Sequence, residues 1–189
     1  MKEKENKEIP THVFYSSNEE SNCPIISKLV KLGKELSKIN LQLNENKALL
    51  SARFGKRVII NGIESNIKEL KQNDFLEIID YDPIRRVLLL MGPKDPLDYT
   101  TIHWFILHAR KEINFVLSIK IDIFKEKKNK NIPVIEKKYP KDSIEETKEV
   151  LKSLRDSNVI IIKDQLILFV GENIEKIKEN VFKTIEEFK

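Results

Sequence analysis

Apolar residues recur every three or four positions in four separate segments, which predicts four amphipathic helices. The first opens at Pro24, and the second follows a turn in which Asp98 is the expected N-cap. The third carries a capping box, Ser143 with Glu146 three residues later, and the fourth begins after Gly171. Each helix has one apolar face, so each should pack against a common layer.

Between the helices, short runs rich in β-branched residues predict strands. They are Ala48–Phe54, Arg57–Asn61, Phe75–Asp80, Arg86–Met91, a strand from Asn114, Ile132–Ile135, Val159–Ile162 and Leu166–Val170. The strand from Asn114 alternates strictly, which places Ser118 and Lys120 on one face. Tight turns favour antiparallel pairing, so the pattern predicts an α/β fold, a layered sandwich built on a mostly antiparallel sheet.

The predicted elements form one domain over residues 21–189, because nothing in that range has the composition of an interdomain linker. Residues 1–20 are mostly polar and charged, and Val13-Phe14-Tyr15 is their main apolar segment. We interpret them as a flexible N-terminal tail. The alternative is an arm that docks on a neighbouring molecule.

Composition narrows the function classes. The 189 residues are 40% hydrophobic and 34% charged, with a net charge of +4. Basic and acidic residues are interspersed along the chain, and this distribution does not favour nucleic-acid binding. The bias towards Lys, Glu and Ile is typical of proteins that work at high temperature. A single cysteine, Cys23, excludes an internal disulfide and a cysteine-rich metal site. No apolar run reaches membrane-spanning length and the N-terminus lacks a signal-peptide core, which predicts a cytoplasmic protein.

The stretch from Pro93 to Lys120 carries several residues at fixed intervals: Pro96-Leu97-Asp98-Tyr99, His103, Arg110, Val116-Leu117 and Ser118-Ile119-Lys120. Their spacing resembles the pattern P-S-S-E, three residues, H, six residues, R, two Val-like residues and H-x-H. This is the pattern of the class II aldolase and adducin-head family of sugar-phosphate aldolases and epimerases. Shorter likenesses follow in order over about 24–189, including a helix with Gly33 in place and the turn Asn61-Gly62. The resemblance implies a three-layer α/β/α sandwich with a mixed, mostly antiparallel sheet.

In that family three His and one Glu hold a zinc ion that stabilises an ene-diolate. The resemblance places the Glu on Tyr99, the paired His on Ser118 and Lys120, and the third His on Gln165. A protonated phenol, a hydroxyl, an ammonium and an amide do not make a zinc site. We therefore expect no metal and no cofactor.

The family's phosphate cradle is also altered. The resemblance keeps Ser51 and Arg53, replaces S-G by Asn61-Gly62, and puts the acid Asp98 where a phosphate-binding serine is expected. A carboxylate there repels phosphate, so a phosphorylated substrate in the family's pose is disfavoured. Ser51, Arg53, Asn61, Gly62 and His103 remain candidates for binding a different, small or anionic ligand. For His103, a packed or surface role is the favoured alternative.

Two functions remain open. One is a degenerate class II aldolase-like protein without zinc-dependent lyase chemistry, which serves in binding or assembly as a homo-oligomer, with a tetramer favoured. The other is an aldehyde-lyase or epimerase-type enzyme that acts on a sugar or carbonyl substrate through a metal-free set, Lys120, Tyr99 and Asp98. For Lys120 we favour a structural role over catalysis, and we predict an ion pair with Asp98 or Asp164 that fills the former metal position.

Overall fold

The computed structural model describes residues 11–38, 48–120 and 132–188, and in them a nine-stranded sheet runs through the molecule. The strands are β1 (His12–Ser17), β2 (Ala48–Phe54), β3 (Arg57–Asn61), β4 (Phe75–Asp82), β5 (Val87–Met91), β6 (Phe115–Lys120), β7 (Val134–Ile135), β8 (Val159–Ile162) and β9 (Leu166–Gly171). Their order is β1-β5-β4-β3-β2-β6-β9-β8-β7. Only β1 with β5 and β7 with β8 pair parallel among the described strands, so the sheet is mixed and mostly antiparallel, as predicted.

In the described residues, four α-helices cover the two faces of the sheet: α1 (Ile25–Leu36), α2 (Thr100–Ala109), α3 (Ile144–Ser153) and α4 (Ile174–Phe188). The apolar faces of α1 and α4 bury Leu29, Leu32 and Ile177 against one side. On the other side α2 and α3 bury Ile106 and Val150. The predicted three-layer α/β/α sandwich is therefore confirmed. No helix in the described part of the chain is long and apolar enough to cross a membrane.

Strand β6 lies in the interior of the sheet between β2 and β9, and its alternation is as predicted. Phe115, Leu117 and Ile119 face the layer of α1 and α4. Val116 belongs to the opposite core, so Ser118 emerges towards α2. This alternation fixes which of the candidate residues meet α2.

The N-terminal segment differs from the sequence-based expectation. Residues 12–17 were assigned to the flexible tail, but they form β1, which pairs parallel with β5 at the edge of the sheet. Val13 packs on the core shared with α2, and the Tyr15 hydroxyl donates to Asp95 Oδ1 at 2.6 Å. These contacts anchor a strand whose only sequence signal was three adjacent apolar residues. Residues 1–10 lie outside the described residues.

The start of α2 also differs. Asp98 does not cap it: the N-cap is Tyr99, in a left-handed conformation with φ of 70°, and the Asp98 carboxylate lies 2.8 Å from Lys141 Nζ. The capping residue predicted for α3 is confirmed, since Ser143 Oγ accepts from the Glu146 backbone N–H at 3.1 Å.

Candidate functional site

A chain of three buried polar side chains occupies the position at which the aldolase-like pattern places one zinc ligand. His103 Nδ1 lies 2.8 Å from Ser51 Oγ, and His103 Nε2 lies 2.6 Å from Ser118 Oγ. The three residues come from α2, β2 and β6, and all are buried. We call them the Ser–His–Ser chain.

The Ser–His–Ser chain is electrically neutral. Burial without a charged partner lowers the pKa of His103 to about 3, so the ring carries no charge at neutral pH. A neutral imidazole has one N–H donor and one acceptor nitrogen, so one serine must accept a hydrogen bond and the other must donate one. Both ring nitrogens are then occupied, and neither has a lone pair left for a metal or a substrate proton.

The candidate anion-binding residues Asn61 and Gly62 are used inside the fold. Asn61 is buried; its Nδ2 donates to Ala48 O at 3.0 Å and its Oδ1 accepts from the Leu50 N–H at 2.6 Å. Gly62 lies against the loop before α2, where an added Cβ would come within 2.8 Å of the Asp95 carbonyl oxygen. These two residues therefore hold β2 to β3 and seat that loop.

Arg53 serves a similar structural purpose. Its Nη2 donates to the carbonyl oxygens of Arg110 and Ile113, at 2.7 and 2.5 Å. These carbonyls belong to the turn between α2 and β6, so the guanidinium ties the end of the helix to β2. Ser51, Arg53 and Asn61 of the expected cradle thus each make an internal hydrogen bond, and Arg53 Nε is the one buried nitrogen of these side chains without a partner among the described residues.

The predicted ion pair at Lys120 is wrong. The Lys120 side chain is exposed at the end of β6, and neither proposed carboxylate lies within ion-pair distance of it. Asp98 pairs with Lys141 at 2.8 Å, and Asp164 lies 3.8 Å from Lys138 Nζ. An exposed ammonium keeps its hydration, so it does not require a buried partner.

A group of acidic residues that sequence reasoning missed lies beside Tyr99, where α2 and α3 begin. The Tyr99 hydroxyl is buried without a hydrogen-bond partner among the described residues, and burial, together with the charge of Glu146, raises its pKa. Glu146 is buried as well. Its Oε2 accepts from the Asp142 N–H at 2.9 Å, its Oε1 has no partner in the described part of the chain, and burial raises its pKa to about 7.

Asp142 joins the two helix starts. Its Oδ1 accepts from Thr101 Oγ1 at 2.6 Å, and its Oδ2 lies 3.5 Å from the Tyr99 backbone N–H. Asp142, and not the expected N-cap Asp98, therefore accepts the hydrogen bonds at the start of α2, and its burial raises the pKa of its carboxyl group. The capping box at Ser143 was the available signal for Glu146, but nothing local indicates that the two helix starts meet.

Solved structures with the same fold include YgbL from Klebsiella pneumoniae, at 10% identity and a TM-score of 0.66, with 86% of each chain covered. L-fuculose 1-phosphate aldolase matches at 15% identity and a TM-score of 0.62, with 89% of each chain covered. The N-terminal class II aldolase domain of a Thermoplasma acidophilum protein matches at 14% and 0.57, over 87% of this chain and 96% of that one. No protein-family model matches the sequence, and no curated protein does. The chain has the class II aldolase fold.

The residues at the expected metal positions do not fit a zinc ion. Ser118 is engaged with His103, Lys120 is a cation, and the Tyr99 phenol keeps its proton. The buried Oε1 of Gln165 has no partner among the described residues, but an amide oxygen is a weak ligand for zinc. Across residues 11–38, 48–120 and 132–188, no group of three or more His, Cys, Asp or Glu side chains is arranged to hold a metal.

Proposed function

We propose that this class II aldolase-fold chain serves in binding or assembly and carries no zinc-dependent lyase chemistry. The observation that supports it is the Ser–His–Ser chain. In it the serine at one expected zinc-ligand position, Ser118, is a hydrogen-bonded part of the core. A lyase of this fold needs a Lewis acid beside the bond that breaks, and a hydroxyl held by a neutral imidazole does not supply one.

The residues of the expected phosphate cradle also support a chain without the family's lyase chemistry. Asn61 and Arg53 donate to backbone carbonyls, and Ser51 bonds to His103. Binding a phosphate there would break these internal hydrogen bonds and leave buried groups unpaired, which costs about 1–3 kcal/mol for each group. The family's substrate pose is therefore disfavoured by the fold's own contacts.

The metal-free enzyme has less support. A lysine that forms a Schiff base needs an amine desolvated enough to lose its proton near neutral pH, whereas Lys120 is exposed. The Tyr99 hydroxyl is buried, with its pKa raised, and Asp98 pairs with Lys141 at the surface. The three candidate catalytic groups thus lie in different environments.

The proposal is tested by measuring metal content and lyase activity on one preparation. The protein is expressed in zinc-supplemented medium, dialysed, and analysed for metal by mass spectrometry. Aldol cleavage of sugar 1-phosphates is followed with L-fuculose 1-phosphate aldolase as the positive control. We expect no stoichiometric zinc and no cleavage above background. Tightly held zinc that is lost in Ser118→Ala or Gln165→Ala would overturn the proposal.

The assembly part of the proposal is a homo-oligomer, with a tetramer as the favoured state. It is supported by large apolar side chains that are exposed on the described surface: Phe14, Tyr15, Phe54, Ile84, Val134, Ile144 and Phe182. Their positions suggest where copies of the chain meet.

A further inference from the structure

The two edges of the sheet differ in how they are protected from pairing with another strand. The edge strand β7 has two residues, follows Pro133, and is followed by Glu136-Lys137-Lys138. Short length, proline and charge are the usual means of blocking an edge. The edge strand β1 has six residues, HVFYSS, with no proline, lysine or carboxylate. Its one irregularity is a register shift between Tyr15 and Ser17, beyond its regular part.

The backbone of β1 has a defined set of groups that face outward. The His12 N–H donates to Arg86 O at 2.8 Å, so this residue points its peptide groups at β5. Alternation along a strand then turns the N–H and C=O of Val13 and Tyr15 away from the sheet. Within the part of the chain that the structure describes, no strand lies beyond β1. The edge therefore presents two donors and two acceptors in an extended frame.

The side chain between these two residues is apolar and exposed. Phe14 is 57% exposed. It lies on the face of β1 opposite Val13, which packs against the hydrophobic core between α2 and the sheet. Its partner across the ladder is Leu89, which is half-buried. A large aromatic side chain on an unprotected edge promotes aggregation of a monomer, whereas in an interface it is buried and stabilises the contact.

We propose that β1 pairs antiparallel with β1 of a second copy of this chain about a two-fold axis through Phe14. In this register Val13 of one copy lies opposite Tyr15 of the other, and each such pair exchanges two backbone hydrogen bonds. Phe14 then lies opposite Phe14 as a non-hydrogen-bonded pair, with its ring buried by its symmetry mate. The interface is isologous, as a closed dimer requires, and joins two sheets into one.

Charge is compatible with this register. No residue from His12 to Ser17 is a lysine, arginine or carboxylate, so no like charges meet across the axis. The pairing deepens the assembly role proposed above and rests on it. Metal content and lyase activity test the loss of zinc chemistry without reference to oligomeric state, so failure of one part is distinguishable from failure of the other.

The first experiment measures mass by light scattering and sedimentation at tens of micromolar for the full chain, for Phe14→Lys and for Val134→Lys. Phe14→Lys places two ammonium groups on the axis, and Val134→Lys is the matched change at the opposite edge, where Val134 is also exposed. We expect Phe14→Lys to raise the dissociation constant of the contact between two β1 strands, in a dimer or within the favoured tetramer, about tenfold or more, and Val134→Lys to leave it unchanged. A monomeric parent protein, or an oligomer that Phe14→Lys does not weaken, would overturn the pairing.

A second experiment does not depend on the stability of the lysine variant. In a Cys23→Ser background, which removes the single native cysteine, Phe14→Cys places two thiols across a non-hydrogen-bonded antiparallel pair. The Cα separation of about 4.5 Å in such a pair is within the range that a disulfide spans. Oxidised glutathione should convert Phe14→Cys to a covalent dimer much faster than Val134→Cys. Equal rates for the two variants would count against the proposal.

Discussion

The buried imidazole of His103 should make the protein sensitive to acid in a way that one substitution removes. Its pKa is lowered to about 3 in the folded state by burial, against 6.5 for an exposed histidine. The unfolded chain therefore binds a proton at a pH where the folded chain does not. The contribution of His103 to the free energy of unfolding is fully present above pH 6.5 and is lost as the pH falls from there towards 3.

The magnitude follows from the two pKa values. Each pH unit between them costs about 1.4 kcal/mol, so at pH 4.5, two units below 6.5, His103 lowers the free energy of unfolding by about 2.7 kcal/mol relative to pH 7.5. Glu146, whose pKa is raised to about 7, acts in the opposite direction over part of this range. A measurement on the parent protein alone would mix the two effects.

The variant His103→Gln isolates the histidine. The amide keeps hydrogen-bonding capacity towards the two serines but does not titrate, and both proteins retain Glu146, so its effect cancels in the difference. Urea unfolding at pH 7.5, 5.5 and 4.5 gives the free energy of unfolding of each protein. The variant should gain about 2.7 kcal/mol on the parent between pH 7.5 and 4.5. His108→Gln, on the exposed side of the same helix, controls for loss of a histidine.

A difference between the parent and His103→Gln that stays constant with pH would refute the reasoning. It would mean that the folded protein accepts a proton on His103 near pH 4.5. The Ser–His–Ser chain would then not be a closed neutral network, and His103 would have to be accessible to solvent.

Two further substitutions test other parts of the structure. The raised pKa of Glu146 makes its stabilising contribution full at low pH, and that contribution is lost as the pH rises through about 7. The free energy of unfolding of Glu146→Gln, measured relative to the parent protein, should therefore rise by roughly 2–3 kcal/mol between pH 4.5 and pH 8. Urea unfolding that shows no such pH-dependent gain would contradict the burial of Glu146 as an uncharged acid. Gly62→Ala should lower the free energy of unfolding by about 1–3 kcal/mol, because its Cβ would meet Lys94 and Asp95, and a near-neutral result would show that this loop moves freely. Gly55→Asn is the control for Gly62→Ala: Gly55 has φ of 63° and open space around it, a conformation that asparagine tolerates.

The helices and strands were largely predictable because their signals are local. The bounds predicted for β2, β3 and β8 are those observed, and the capping of α3 by Ser143 follows from a four-residue pattern. The family resemblance, which rests on spacing over about residues 24–189, predicted the layers of the fold correctly. Gly33 is an example. An added Cβ there would lie 2.5 Å from the Ile67 carbonyl oxygen, so this glycine is needed for the close packing of α1, and it is visible in the sequence.

The partners of the polar residues were much less predictable. Asp98 was expected to cap α2 or to meet Lys120, yet it pairs with Lys141, and Asp142 takes the place beside the helix start. The reason is physical: a charged side chain at a surface pairs with whatever cation the next loop brings near, and separation along the chain carries no information about that. The strand β1 was missed for the same reason, since its partner β5 is more than seventy residues away.

From its amino-acid order alone the chain specifies periodicity, chain reversals and which side of a strand each residue occupies. These depend on backbone geometry over a few residues, so Ser118 and Lys120 were correctly placed on one face of β6. Only the tertiary structure decides what lies opposite that face. It brings His103 from α2 between Ser118 and Ser51, which lie 15 and 52 positions away along the chain. Exclusion of water there keeps the imidazole neutral, and the three polar side chains form a closed hydrogen-bonded chain.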